Sequence, residues 1–274
     1  MTYPWLKGPV TSTAYGWRLD RNDGVSIGFT SHDRNIEIGG LVYRASPGLA
    51  PTSITQSLGL EPGSLEVSGA LTSDALRAED IEAGRWDGAR LQIFLFDWNQ
   101  PEAEPLTLAE GLLGAISWSG SSFEVEFLGP AALLSAPCVP STSPTCRASF
   151  AGSGCDLNPQ RYTSEITVNS GVGTTLLLGS PLTIEASAFV FGELRWLSGP
   201  NCGLRQRIAS ASINQVILMD EPAFAVTSPQ RVELMQGCDR TLATCAGRFG
   251  NALNFRGEPH LPGNDLLTRY PGAN

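Results

Sequence analysis

The sequence predicts a mainly β protein, and three observations indicate it. Short segments alternate apolar and polar residues, Gly, Pro and Asn separate these segments, and helix-forming stretches are few. We expect an N-terminal antiparallel β-domain with one helix over residues 1–135. A small β-barrel or sandwich over 161–236 is inserted into a loop-rich four-cysteine junction, which is formed by 136–160 and 237–258 and ends in a short C-terminal helix. Residues 259–274 are expected to form an extended tail.

Length and composition fit a globular chain. With 274 residues, 42% of them hydrophobic, the chain can bury one large core or two to three modest ones. The N-terminus has no export signal, and no segment approaches the roughly 20 apolar residues that span a bilayer. We therefore expect synthesis in the bacterial cytoplasm and no membrane insertion. Thiols stay reduced there, so the six cysteines are expected to be ligands or buried thiols rather than a disulfide framework.

The charge balance argues against specific nucleic-acid binding. The formal net charge is −9, and Lys7 is the single lysine beside seventeen arginines, 18 Lys and Arg less one Lys. Affinity for nucleic acid comes largely from basic residues that displace counterions. An acidic surface next to DNA is nevertheless suitable where DNA must slide past without binding, because like charges repel.

The first β-domain begins with a predicted hairpin. In "WRLDRNDGVSIGFT", Trp17 and Leu19 share one face, Asn22-Asp23-Gly24 form a turn, and Val25, Ile27 and Phe29 alternate on the return. Further strands are predicted in "IEIGGLVYRA", "SLEVSGAL", "ARLQIFLFDW", "LTLAEGLLGAISWSG" and "SFEVEFLG". An antiparallel sheet fits this order best.

One helix is predicted within this domain, in "TSDALRAEDIEAGRWDG". Thr72 or Ser73 is the expected N-cap and Gly84 the expected end, because short polar side chains favour helix starts and glycine favours helix ends.

Six short strands predict the inserted domain: "SEITVNS", "TTLLLG", "AFVFGELRWL", "LRQRIAS", "NQVILM" and "QRVELMQ". Cysteines flank this region on both sides, which suggests an insertion into one cysteine-bound unit. Its aromatic residues Phe189, Phe191 and Trp196 are either core residues or a carbohydrate-binding surface; alternating aromatics in a strand favour the core.

No motif in the sequence indicates a catalytic site, and we expect no enzymatic activity. His32 and His260 lie far apart, which excludes the H-E-x-x-H zinc protease motif. Lys7 is followed by Gly8, so there is no P-loop. His32 beside Asp33 is interpreted as a polar turn, because such a pair without a partnered nucleophile has no specificity. No glycosidase-like carboxylate pair is marked either.

The cysteines are the most informative residues. Cys146 and Cys155 form C-x8-C, and Cys238 and Cys245 form C-x6-C. If residues 239–249 are helical, Cys238 and Cys245 share a face with Cα atoms about 10 Å apart, too far for a disulfide but suitable for ligands of a bulky group. Four thiolates in a loop-rich region suit zinc or an iron–sulfur cluster. Ordinary buried thiols and disulfides remain open alternatives.

Some polar residues near the cysteines have more than one interpretation. Cys138 and Cys202 are left over, and Cys138 could replace Cys146 as a ligand. Three residues could donate hydrogen bonds to ligand sulfurs or satisfy backbone groups at the end of the helix: Asn251, Asn254 and Arg256.

Nearly the whole chain resembles the baseplate hub proteins of alphaproteobacterial gene transfer agents and related siphovirus-like phage tails. The resemblance is marked by "WRLDRNDGVSIGFTSHDRNIEIGGLVYRA", "SLGLEPGSLEVSGALTSDALRAEDIEAGRWDGARLQIFLFDW", "TCRASFAGSGCDL" and "GCDRTLATCAGRFGNALNFRGEPHLPGND". The cysteine segments are also similar to the carboxy-terminal part of phage lambda tail-tip protein L, where a similar pairing of four cysteines holds an iron–sulfur cluster.

The resemblance implies ligands and a cofactor. Matched by motif, Cys146, Cys155, Cys238 and Cys245 correspond to the ligands of a [4Fe-4S] cluster, with zinc as the alternative. The lambda protein lacks the long strand-rich stretch between the two pairs, which could loosen the geometry of the site.

The resemblance also implies a role. It predicts a structural virion protein of the tail baseplate, a homotrimer that connects the distal tail protein ring to the central tip or fibre protein, and a tail-associated cell-wall peptidase as a further partner. The cluster would hold the fold together, and DNA would pass through the lumen. The alternatives are a tail-tip receptor- or carbohydrate-binding module, a cell-wall hydrolase, or a redox protein that uses the cluster.

Overall fold

The computed structural model confirms a mainly β protein with few helices. It describes residues 3–46, 64–69, 77–119, 122–129, 139–227 and 229–261. The chain forms two compact units, Met1–Cys138 and Val139–Asn274. No helix in these described ranges is long and apolar enough to cross a membrane.

An eight-stranded sheet forms the first unit, in the order β3-β4-β2-β1-β6-β7-β8-β5. Its strands are β1 (Thr13–Asp20), β2 (Ser26–Thr30), β3 (Ile36–Ile38), β4 (Leu41–Ala45), β5 (Ser64–Gly69), β6 (Arg90–Asp97), β7 (Leu106–Ser119) and β8 (Ser122–Leu128). All neighbouring pairs are antiparallel except β2 and β4, which are parallel. This exception arises because the β3–β4 hairpin folds back and its second strand, not its first, pairs with β2.

The predicted hairpin is confirmed. β1 and β2 pair antiparallel with Trp17 opposite Phe29, and both side chains are buried. Gly24 has a φ of 91°, a conformation that glycine adopts without a steric cost, and the backbone N–H of Arg21 donates to the carbonyl of Val25 at 2.8 Å. The buried residues of this unit include Trp17, Phe29 and Trp86 in one cluster and Tyr43, Phe94 and Phe96 in another.

The predicted helix is shorter than expected. Helix α1 (Ala78–Glu82) begins after Arg77, whose backbone is extended, and the predicted N-caps Thr72 and Ser73 lie outside the described residues. The predicted end is confirmed, because Gly84 follows the helix with a φ of 71°.

A closed six-stranded barrel, in the order β10-β13-β12-β11-β14-β9, forms most of the second unit. Its strands are β9 (Thr163–Val172), β10 (Thr175–Leu178), β11 (Glu193–Trp196), β12 (Arg205–Ser212), β13 (Gln215–Leu218) and β14 (Gln230–Met235). Twelve buried hydrophobic side chains fill its interior, among them Leu176, Leu194 and Val232. The six-strand pattern of the sequence therefore closes on itself, which leaves no unpaired strand edge.

The first and last strands of the barrel are neighbours. β9 pairs with β14 so that Thr163 lies opposite Met235, and the backbone N–H of Gln236 donates to the carbonyl of Tyr162 at 2.9 Å. Paired residues in an antiparallel ladder have Cα atoms about 4.5–5.5 Å apart. The chain thus enters and leaves the barrel at one place.

One segment departs from the predicted strand pattern. Residues Ala186–Phe189 form a 3₁₀ turn, and β11 begins only at Glu193. The strand is interrupted because Phe191 has a φ of 63° and Gly192 lies against the carbonyl of Met235, where a Cβ atom would be 2.2 Å from the oxygen. Phe189 and Trp196 are core residues at 0% and 1% exposure, whereas Phe191 is 61% exposed.

The difference between these aromatic residues is testable. Phe189→Ala removes a fully buried ring, so we expect a loss of about 3–5 kcal/mol in unfolding free energy. Phe191→Ala should change it by less than about 0.5 kcal/mol, because the ring is mostly solvated. Urea denaturation, with hydrogen exchange of the barrel amides, measures both. Equal losses in the two variants would contradict the assignment of Phe189 to the core.

Candidate metal centre

All four predicted cysteines line one cavity of the second unit. The cavity has a volume of about 480 Å³. Cys146, Cys155 and Cys238 are partly buried, and Cys245 is buried. The two cysteine pairs are thus brought together although the barrel separates them in sequence.

Backbone hydrogen bonds join the segments that hold the two pairs. The N–H of Cys146 donates to the carbonyl of Arg240 at 2.8 Å, which ties the first cysteine to the loop that follows Cys238. The N–H of Arg147 donates to the carbonyl of Arg256 at 3.1 Å. Backbone hydrogen bonds therefore join the first cysteine segment to two places in the segment that follows the barrel, about 100 positions later in the chain.

Two sulfur atoms accept hydrogen bonds from backbone N–H groups. The N–H of Arg256 lies 3.4 Å from Sγ of Cys146, and the N–H of Arg240 lies 3.4 Å from Sγ of Cys238. Arg240 has a φ of 62°, an uncommon conformation for a residue other than glycine, and this directs its N–H back to the sulfur two residues earlier. Such N–H donors stabilise negative charge on a sulfur atom.

Asn251 contacts the other two cysteines. Its Nδ2 donates to the carbonyl of Cys155 at 2.7 Å and lies 3.6 Å from Sγ of the same residue. Sγ of Cys245 lies 3.3 Å from the Asn251 carbonyl and donates to it as a thiol. Asn254 donates from Nδ2 to Oδ1 of Asn251 at 2.8 Å and so fixes the orientation of this amide. The Asn251 side chain therefore contacts a cysteine sulfur, as one reading of the sequence expects, and the backbone carbonyl that it satisfies belongs to Cys155 rather than to the end of the C-terminal helix.

The C-terminal helix is shorter than predicted. Helix α2 (Leu242–Gly247) has Thr241 as its N-cap, and the Thr241 hydroxyl accepts from the N–H of Thr244 at 3.2 Å. Cys238 precedes the helix, so the prediction that Cys238 and Cys245 share a helix face is wrong. Asp239 causes the later start, because its carboxylate accepts hydrogen bonds from the N–H and hydroxyl of Thr241 in a local turn.

Burial, and after it repulsion from neighbouring groups, disfavours the thiolate forms of Cys238 and Cys245. Burial raises the pKa of Cys245, and the nearby Cys238, Cys146 and Cys155 raise it further. Burial also raises the pKa of Cys238, although the N–H of Arg240 partly offsets this. A bound metal would have to displace these protons, so occupancy of the site depends on pH.

Arg248 fixes the end of helix α2 against the connections of the barrel. Its Nη2 donates to the carbonyl of Ala188 and to Oε1 of Gln236, both at 2.7 Å, and its Nη1 donates to the carbonyl of Gly237 at 3.2 Å. The guanidinium also lies 4.7 Å from the ring centroid of Phe249. One side chain therefore satisfies three acceptors around the point where the chain leaves the barrel.

Three aromatic rings form a small core beneath the cysteine loops. The ring centroids of Phe150 and Phe249 are 5.0 Å apart, those of Tyr162 and Phe249 are 5.3 Å apart, and those of Phe150 and Tyr162 are 5.7 Å apart. Each such pair contributes about 0.5–1.5 kcal/mol beyond its area burial. The rings come from the first cysteine segment, the chain before β9 and the end of helix α2.

Glycines allow close backbone contact beside two cysteines. A Cβ atom on Gly237 would be 1.9 Å from the carbonyl oxygen of Val190, and one on Gly257 would be 2.6 Å from that of Thr145. Gly237 precedes Cys238, and Thr145 precedes Cys146. Sequence reasoning missed both glycines and Arg248, since the residues they contact are distant in sequence.

An ion pair joins Arg147, in the first cysteine segment, to Glu258. Nη1 and Nη2 of Arg147 donate to the two carboxylate oxygens of Glu258 at 2.6 and 2.8 Å, and the N–H of Ser143 donates to the same carboxylate at 2.9 Å. The hydrogen bonds from Arg147 and then Ser143 lower the pKa of Glu258 to about 2.

The remaining candidates lie elsewhere. Cys202 is exposed, and its Sγ lies 3.3 Å from the carbonyl of Leu197, away from the cavity lining. Cys138 lies outside the described residues. His32 accepts at Nδ1 from the N–H of Arg34 at 3.1 Å and packs against Trp98, as expected of a polar turn.

The cysteine arrangement differs from that of a single-ion site. In the described part of the chain, no three His, Cys, Asp or Glu side chains form a group that could hold one metal ion. The four cysteines instead lie along the wall of one cavity.

Comparisons with known proteins agree with the resemblance seen in the sequence. A family described as "Baseplate hub protein, N-terminal attachment domain" matches residues 4–158, more than half of the chain. A second, described as "Phage conserved hypothetical protein BR0599", matches residues 187–265. The solved structure "Virion of native gene transfer agent (GTA) particle" contains a chain with 30% sequence identity, a TM-score of 0.86, and coverage of 98% of this chain and 96% of that one. No curated protein is significantly similar.

The Arg147–Glu258 pair predicts a pH-dependent contribution to stability. The pKa of Glu258 is lowered from 4.5 to about 2, so the ionised carboxylate stabilises the folded chain fully above about pH 4.5 and progressively less as the pH falls towards 2. Thermal unfolding of wild type and Glu258→Gln should differ at pH 6 and converge near pH 2. The side chains are partly solvated, so added salt should reduce the difference. A difference that grows with acidity would contradict this assignment.

The close contact between Gly237 and the carbonyl of Val190 predicts an effect on stability. Gly237→Ala must displace the backbone near Val190, and we expect a loss of about 1–3 kcal/mol in unfolding free energy. Gly247→Ala is the matched control, because its Cβ would meet no atom within 4 Å and alanine favours the helix. Urea denaturation of the two variants measures the difference, and a Gly237→Ala protein as stable as the control would refute the contact.

Proposed function

Since the chain belongs to the family of phage baseplate hub proteins, we propose that it is the hub of a gene transfer agent or related siphovirus-like tail. In this role it connects the distal tail protein ring to the central tip or fibre protein. The observation on which this depends is the likeness to a gene transfer agent chain over 98% of the sequence at a TM-score of 0.86. The likeness includes both units, so it concerns the whole architecture.

The two units suggest a division of roles. The family described as an N-terminal attachment domain includes the first unit and continues to residue 158, past Cys146 and Cys155. We therefore propose that the eight-stranded sheet attaches the protein to the tail. The barrel then contacts other baseplate partners, including a tail-associated cell-wall peptidase. A homotrimer suits a connector around a tube axis, because oligomers of identical chains adopt closed symmetry.

We further propose that Cys146, Cys155, Cys238 and Cys245 hold a [4Fe-4S] cluster. Three features of the cavity support it: the four cysteines line one cavity of about 480 Å³, polar N–H groups contact three of the sulfurs, and the lining includes two arginines. The guanidinium groups of Arg207 and Arg240 form no ion pair with the described residues. Positive charge there offsets the negative charge of thiolate ligands.

The cluster has a structural role in this proposal. When bound, it supplies four metal–thiolate bonds between segments on either side of the barrel. The chain already arranges these segments through the Cys146–Arg240 and Arg147–Arg256 backbone hydrogen bonds, so binding requires little reordering. A ligand that binds only the folded chain stabilises it by mass action. No electron-transfer partner or catalytic step is needed.

The charge of the chain suits the same role. A formal net charge of −9 disfavours adhesion of DNA to the hub, so DNA passes through the lumen without specific binding. The aromatic residues that suggested carbohydrate binding are mainly buried, and the His32–Asp33 pair lies in a turn, so neither favours a receptor-binding or hydrolytic role over the structural one.

Metal analysis tests the cluster. We expect anaerobically purified protein to be brown, with about four irons and four sulfides per chain. Serine variants of Cys146, Cys155, Cys238 and Cys245 should lose the colour and unfold more easily, because each removes a ligand. Visible absorbance, iron, sulfide and zinc analysis, and thermal unfolding provide the measurements.

Cys202→Ser is the matched control, because Cys202 is an exposed cysteine of the same unit outside the cavity lining. Cys138→Ser tests whether that residue replaces Cys146. One zinc per chain would support the alternative metal. A colourless, metal-free protein that folds equally well after all four changes would exclude a metal centre and leave the family assignment intact.

A further inference from the structure

The barrel supplies part of the lining of the cysteine cavity. One row of residues crosses the neighbouring strands β13, β12, β11 and β14 at one end of the barrel: Met219, Arg207, Glu193 and Met235. The N–H of Met219 donates to the carbonyl of Arg207 at 2.9 Å, and Glu193 pairs with Arg207 on one side and with Met235 on the other. All four residues line the cavity. The cavity therefore has cysteine segments in one part of its wall and the outside of the barrel in another.

These four residues lie on the outer face of the barrel. Their neighbours along the chain are buried in the barrel core: Leu194, Ile208, Leu218 and Leu234. Side chains alternate between the two faces of a strand, so the residues of the row face away from the core. The row is thus free to contribute to the cavity without weakening the packing inside the barrel.

The apolar residues of the cavity lining differ in exposure. Phe191, two residues before Glu193, is 61% exposed, and Met219 is 47% exposed. The other large apolar residues of the lining are buried or partly buried: Phe150, Leu157, Met235 and Phe249. Phe191 and Met219 are therefore the solvent-facing part of the apolar lining, and we call these two residues the apolar rim.

Phe191 has a backbone conformation that suits glycine better than phenylalanine. Its φ of 63° lies in the left-handed region, where a bulky residue is an outlier. The conformation is fixed on both sides, because the N–H of Phe191 donates to the carbonyl of Ile208 at 3.2 Å and Gly192 lies against the carbonyl of Met235. The exposed ring adds nothing to the barrel core. A strained residue without a packing role indicates a function for its side chain, and the cavity is what this residue borders.

We propose that the apolar rim covers the cluster site and limits the access of water and oxidants to the metal–thiolate bonds. This rests on the proposed cluster and adds that the barrel completes its pocket. The apolar surroundings of a metal centre control solvent access, and the properties of iron–sulfur clusters depend on their exposure to solvent. The barrel then protects the group that joins the two segments flanking it.

The charges in the same wall fit this role. Glu193 is paired with Arg205, whereas the guanidinium of Arg207 has no ion pair within the part of the chain that the structure describes. The barrel side of the cavity thus combines apolar groups with one uncompensated positive charge. Four thiolate ligands make a bound group more negative, and a positive neighbour favours the charged form of such ligands.

Iron release from the anaerobically purified full chain tests the proposal. Phe191→Gly removes the ring and leaves a residue that suits the backbone, and Met219→Ala removes the thioether. Leu177→Ala is the matched control, because Leu177 is 50% exposed on the same barrel and lies outside the cavity lining. A ferrous-iron chelator added in air, followed by visible absorbance, measures the rate of iron release. Urea denaturation of the metal-free chains measures their stability.

Phe191→Gly and Met219→Ala should each release iron about threefold faster than wild type or more, and Leu177→Ala should release it at the wild-type rate. The metal-free Phe191→Gly chain should be at least as stable as wild type, because glycine adopts a positive φ without the steric cost. Faster release from a chain that is no less stable distinguishes a cover from a general support of the fold.

Two results would overturn the apolar rim while the cluster stands. One is release at the wild-type rate from both variants, and the other is equal acceleration in Leu177→Ala. A Phe191→Gly chain that is less stable than wild type without metal would also contradict the cover, because the ring would then support the fold. A wild-type chain that binds no iron overturns the cluster and the rim together, and the family assignment is unaffected.

Discussion

The pairing of β9 with β14 is the constraint on which the second unit depends. Because Thr163 lies opposite Met235, the long excursion through the barrel ends where it began. The two cysteine pairs, which the barrel separates in sequence, therefore lie at the same end of the barrel. A strand-rich insertion between the pairs could loosen the geometry of the site. The β9–β14 pairing that closes the barrel places the two segments that hold the thiols side by side.

The junction is preorganised by interactions that need no bound group. Backbone hydrogen bonds join the cysteine segments, Arg248 secures helix α2 to the chain leaving the barrel, and three aromatic rings pack beneath both. Preorganisation keeps four thiols beside a common cavity at a cost, since burial, and after it repulsion from neighbouring groups, raises the pKa of Cys238 and Cys245. A bound metal group would offset this cost, which is consistent with the proposed cluster.

Local patterns in the sequence predicted much of the fold. The hairpin at Gly24, the six strands of the barrel and the glycine that follows α1 depend on alternation and turn chemistry, which a single segment contains. Two features were not predicted, the 3₁₀ turn at Ala186–Phe189 and the late start of α2. The turn depends on the contact of Gly192 with Met235, and the helix start depends on the hydrogen bonds of the Asp239 carboxylate. For the site, the cysteines were evident from their spacing. The roles of Arg248 and Gly237 come from contacts between distant segments, which no local pattern encodes.

The adjacent ends of the barrel also have an evolutionary consequence. A domain whose first and last residues are neighbours can be inserted, lost or exchanged without altering the path of the chain on either side. The sequence of the barrel can therefore change, in its loops or in its length, while the cysteine segments at its two ends keep their positions relative to each other.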